Sequence, residues 1–86
     1  MSLKFQTDPV EDFIKHGQHF LQAPSVIAGM AFDDALVKLK RHALSALKDE
    51  ELAIAIGRLG PLVRNQDMES LRAAFDAIAA RFSSSS

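Results

Sequence analysis

Asp12, His16 and His19 follow one another at spacings of four and three. On a helix of about 3.6 residues per turn that spacing puts a carboxylate and two imidazoles on one face. Such a donor set can hold a divalent metal. Paired histidines at helical spacing also arise readily on polar faces that meet only water. The expectation here is a solvated face, with no metal and no cofactor. A second group, Lys38, Lys40, Arg41, His42 and Lys48, gathers positive charge within one stretch and can meet phosphates or an acidic partner. Asp34 stands four residues before Lys38, and Asp49, Glu50 and Glu51 follow closely. These acids neutralise much of the cluster, which reads as a charged helix face. The chain has no Gly-rich phosphate loop, and neither a Ser/His/Asp set nor a pair of carboxylates falls into a catalytic arrangement. An enzyme is not expected.

The elements that position these residues are helical. From Asp33 to Lys48 the sequence reads DDALVKLKRHALSALK. On a wheel of about 100° per residue, Leu36, Leu39, Ala43 and Leu47 make one stripe with Ala35 and Ala46 beside it. Asp34, Lys38, Arg41, Ser45 and Lys48 fall opposite. Val37 and Leu44 lie between the two and widen the apolar arc beyond what one neighbour needs. Asp33 is placed to cap this helix, with Phe32 and Val37 as a hydrophobic staple.

Before it, Asp8-Pro9-Val10-Glu11 opens a first helix with a cap, a proline at the first position and acid in the first turn. Val10, Phe13, Ile14, Gly17, Phe20 and Leu21 share its inner face. A glycine at the centre of that face costs about 1 kcal/mol relative to alanine, and close approach by another helix is the expected compensation. Ala23-Pro24 ends the element. Ser25 to Ala31 reads as a separate turn, because a helix through it would carry Ile27 onto the charged face.

After the central helix, Lys48-Asp49-Glu50-Glu51 contains neither Gly nor Pro. A helix running through it would bury opposite faces in its two halves. A single chain must therefore turn there, with Asp49 as cap; the alternative is one long helix from 33 to 60 shared with a second chain. The third helix carries Leu52, Ile56, Leu59 and Val63, with Ile54 stranded on the other side, and Gly60-Pro61 ends or kinks it. Asp67 caps a fourth helix whose stripe is Leu71, Phe75, Ile78 and Phe82.

Two family resemblances can be set against these residues. Ala53, Gly57 and Val63 have a spacing that resembles helix-turn-helix DNA-binding motifs, but Pro61 would stand inside the second helix of such a motif. Four helices in a chain of this size resemble acyl carrier proteins, whose attachment serine follows an aspartate directly. Here Asp67 is separated from Ser70 and the pair comes late in the chain, so neither resemblance supplies a site.

Composition sets the outer limits. The 86 residues carry ten Lys and Arg against eleven Asp and Glu, a balance in which nucleic-acid binding is not expected. No cysteine is present, which removes disulfides and thiolate zinc sites and suits the cytoplasm. No apolar run approaches the ~20 residues of a membrane span, and no signal-peptide core is visible at the N-terminus. The expected fold is all-α, a small antiparallel bundle of about four helices near 8–22, 33–48, 49–60 and 67–82. Residues 1–7 are expected to be a flexible N-terminus, 8–82 one domain and 83–86 a disordered tail. The expected function is a small protein–protein interaction module (adaptor, regulator or chaperone-like subunit) that self-associates as a homodimer. Its partner-binding residues are Val37, Leu44, Ile54, Lys38 and Arg41. The alternative is a nucleic-acid-associated regulator using the basic cluster of the central helix.

Overall fold

The computed structural model describes the backbone of residues 8–83 and the side chains of 8–82. Residues 1–7 and 84–86 lie outside the described residues, and with them the expected flexible start and most of the expected tail. Five helices follow in order: α1 Pro9–Gln22, α2 Val26–Ser45, α3 Glu50–Gly57, α4 Leu59–Arg64 and α5 Met68–Ser83. No strand occurs among the described residues. The all-α bundle expected from the sequence is the fold, with α3 and α4 together forming the third of four helical arms.

Each arm starts where a short polar side chain can replace a missing backbone partner. Asp8 Oδ1 accepts from the Val10 amide at 2.9 Å, with Pro9 at the first helical position. Ser25 Oγ accepts from Ala28 at 3.0 Å, and Asp49 Oδ1 from Leu52 at 3.0 Å. The amides of a first helical turn have no partner within the helix, which is why these oxygens decide where helices begin.

The Ser25 cap corrects one expectation. The central helix begins at Val26 and runs unbroken through residues 26–31, rather than starting at a cap on Asp33. The predicted conflict is real, for Ile27 projects outward and is 81% exposed. A good cap and seven further residues of helix outweigh leaving Ile27 in water, and Val26 and Met30 with it.

The other end is corrected as well. The helix stops at Ser45, and Leu47, assigned to the inner stripe, is 44% exposed. Lys48 closes the turn in the left-handed region with φ 54, and the Asp49 amide reaches back to the Ala43 carbonyl at 2.9 Å. That is the pattern by which helices end, here without the usual glycine. The reversal at 46–49 divides 33–60 between two arms, α2 and the α3–α4 arm, instead of one long helix.

The third arm breaks at Arg58, whose amide is shared between the carbonyls of Ile54 and Ala55. Pro61, expected to end or kink the arm, does so from within the first turn of α4: it offers no N–H to the Gly57 carbonyl four residues back, and α3 ends at Gly57. Gln66, at φ 53, closes α4 as Lys48 closes α2.

Phenylalanines fill the middle of the bundle. Phe32 of α2 lies 5.9 Å from Phe13 and 6.0 Å from Phe20, both on α1. Phe75 of α5 lies 4.9 Å from Phe13 and meets Phe32 edge-on at 6.0 Å. Aromatic pairs of this kind add about 0.5–1.5 kcal/mol each beyond burial of their area.

Gly17 admits the Phe75 ring to α1. A Cβ on Gly17 would overlap Phe75 Cε1 and lie 2.8 Å from its Cδ1 and Cζ. The close approach expected at this glycine is thus the seat of a ring from α5. Toward the far end the core turns aliphatic, with Leu36, Leu39 and Ala43 of α2 against Leu52 and Ile56 of α3. All buried side chains among the described residues are apolar.

Across the bundle, α2 and the α3–α4 arm run antiparallel. Lys40 faces Gly57 near one end, and Gly29 faces Val63 near the other. Asp49 joins the arms at the periphery, since its Oδ2 takes the Arg81 guanidinium of α5 at 2.7 Å.

Candidate functional site

The inner side of α2 is occupied by Ala28, Phe32, Ala35, Leu36, Leu39 and Ala43. At about 100° per residue the opposite side carries Met30, Val37 and Leu44, seven residues apart and within about 40° of one another. They form a ridge running the length of the helix. Their exposures are 68%, 45% and 47%. Asp33 and Lys40 flank the ridge on the side toward α3 and α4, where both border a groove with Gly57 and Arg64. Asp34 and Arg41 flank it on the other side.

At the Leu44 end the ridge meets α3. Leu44 and Ile54 line one concavity of about 500 Å³, with Lys40, Glu50 and Arg58 around its mouth. Ile54 is 56% exposed there. At the Met30 end a second concavity, about 320 Å³, lies among Val26, Met30, Phe20 and Val63, with Asp33 and Arg64 on its polar edge. A line of large apolar side chains framed by charge stands in contrast to the single exposed residues any protein carries.

Of the five partner-binding residues expected from the sequence, Val37, Leu44 and Ile54 thus fall on one continuous edge. Arg41 borders the ridge. Lys38 lies about 100° round the helix from Val37 and pairs with Asp34 at 3.6 Å, both side chains more than half exposed. Val26 and Met30 went unrecognised because residues 25–31 read as a separate turn. The signal that finds them is Ser25 directly after Pro24, a cap position, which extends the helix back and reveals the repeat of seven.

The basic cluster does not make a patch. Lys38 and Lys40 lie about 160° apart round α2 and His42 is half-buried, so the charges face different directions. On α1, Asp12 and His16 are half-buried and His19 is exposed. Among the described residues no three His, Asp or Glu side chains come together to hold a metal ion. No helix among them is long and apolar enough to cross a membrane. No family model matches the chain, and no curated protein or solved structure matches it significantly.

Proposed function

We propose that the protein is a small protein-interaction module, an adaptor, regulator or chaperone-like subunit, that associates with itself through the outer face of α2 and the adjoining edge of α3. The observation that carries this reading is the convergence of Met30, Val37, Leu44 and Ile54 on one edge, each close to half exposed or more. Among the described residues, none buries them. A chain of 86 residues also has a small core for its surface, and burying an apolar edge against a second subunit adds stability where the margin is thin. Arg41 and Lys40 take the part of a charged rim around an apolar centre. The reading assigns no catalysis and no cofactor, and the absence of cysteine favours the cytoplasm as its place.

Light scattering across a wide range of concentrations tests it. A mass rising from one chain to two is expected, and Leu44→Glu or Ile54→Glu should hold the protein nearer to monomer. Asp76→Lys, on the exposed side of α5, should leave the mass unchanged. A monomer at every concentration refutes self-association.

A further inference from the structure

The order of residues along the ridge specifies what the second copy must look like. Val37 is its centre. Met30 lies seven residues before it and Leu44 seven after. Asp33 and Asp34 lie four and three residues before Val37, while Lys40 and Arg41 lie three and four after it. The pattern is a palindrome in position and opposite in charge. A helix with that pattern is complementary to itself when reversed.

We infer that two copies pair through α2 in antiparallel orientation, about a two-fold axis passing at Val37. This rests on the self-association proposed above and adds to it a geometry. A two-fold axis across an antiparallel pair brings like flanks together. Asp33 of each copy then lies beside Lys40 of the other on the flank nearer α3 and α4, and Asp34 lies beside Arg41 on the opposite flank. Met30 packs on Leu44, and Val37 packs on its own counterpart. A parallel pair brings unlike flanks together instead, setting Asp33 beside Asp34 and Lys40 beside Arg41. Like charges so placed oppose association, which selects the reversed arrangement.

The same reversal lays the Leu44–Ile54 end of one copy against the Val26–Met30 end of the other. Of the large apolar side chains exposed among the described residues, only Ile27 and Leu47 then stay outside the contact. The exposed Asp34–Lys38 pair within one chain offers little resistance to Asp34 turning toward the second copy.

The natural absence of cysteine makes the register directly measurable. Val37→Cys should form a disulfide dimer on mild oxidation, because residues on the axis lie within reach of each other. Met30→Cys alone should not, since antiparallel pairing holds the two copies of residue 30 about 21 Å apart along the helix. Met30→Cys mixed with Leu44→Cys should cross-link. Charge reversal gives an independent readout. Asp34→Lys should weaken association roughly tenfold, and adding Arg41→Glu to it should restore the affinity.

The failures are distinguishable. Self-linking of Met30→Cys, or tighter association from Asp34→Lys alone, means a parallel pair and overturns the antiparallel geometry while leaving self-association standing. A dimeric wild-type protein in which none of the cysteine variants links puts the interface elsewhere, and it too overturns only the geometry. A wild-type protein that stays monomeric overturns both. Should a cysteine variant fail to give the helical circular dichroism of the parent, the charge-reversal pair decides alone.

Discussion

The two faces of α2 both carry apolar side chains at helical intervals, every three or four residues on one and every seven on the other, and have opposite fates. Phe32, Leu36, Leu39 and Ala43 are at most 4% exposed, whereas Met30, Val37 and Leu44 are 45% exposed or more. Both sets are apolar and both recur at helical intervals, so hydrophobicity alone does not separate them. Width does. The inner set is continued sideways by Ala28 and Ala35 and meets rings from α1 and α5, one of them seated against a bare glycine. The outer set is one residue wide, with an acid or a base on either side. A broad stripe obliges the chain to fold over it, but a narrow one framed by charge can be left in water until a partner of matching pattern arrives.

The contrast is most sharply tested by truncating one residue on each face. Phe32→Ala removes a ring in contact with three others and should cost about 3–5 kcal/mol of unfolding free energy. Val37→Ala, measured in urea at a concentration where the chain is monomeric, should cost less than about 0.5 kcal/mol. Comparable losses at the two positions would mean that the outer face belongs to the monomer's core.

A smaller effect is expected at the glycine that makes the inner face so tight. Gly17→Ala should destabilise by about 1–3 kcal/mol despite its better helix propensity, because the added methyl meets the buried Phe75 ring. Combining it with Phe75→Leu should recover part of the loss relative to the sum of the two single changes. Simple additivity would show that the ring moves aside without strain.

The smallest change reaches the outer face through its frame. Ser25→Ala deletes the cap of α2 and should cost about 1 kcal/mol. Its first turn would fray, taking Val26 and Met30 out of position, so association should weaken although no ridge residue has been altered. Stability lost with association unchanged would show that residues 26–31 have no part in the contact.

The bundle itself was legible because stripes at helical spacing and polar caps are local signals, as Asp8-Pro9 and Asp49 illustrate. The role of Gly17 was legible for a related reason, since a glycine amid an apolar stripe has few other uses. What was missed depended on competition between local terms. Ser25 as a cap, worth about 1 kcal/mol, opposes Ile27 in water, worth about 1.5–3 kcal/mol if it were fully buried instead, and terms of such similar size do not decide from the sequence where α2 begins. The break at Arg58 was announced by Gly60-Pro61 but stands three residues before the proline, because a proline disturbs a helix about one turn ahead of itself. For the candidate surface, Val37, Leu44 and Ile54 could be found as residues that no stripe claimed. Their union into one edge with Met30 required the true start of α2 and the fold that sets α3 alongside it.

Asp49 has a consequence for motion. One carboxylate oxygen holds the Leu52 amide at the start of α3 while the other holds Arg81 near the end of α5. Terminal helical turns normally exchange their amide hydrogens rapidly and independently of the rest of a protein. Here the last turn of α5 is tied, through a partly exposed contact, to a turn 32 residues away. Each time Arg81 lets go, Asp49 loses one of the two groups that hold its rotamer, and the grip on Leu52 loosens with it. The exchange rate of the Leu52 amide is therefore a reporter of fraying at the C-terminal end of α5. The two ends should breathe as one opening unit, beside the edge where Ile54 lies.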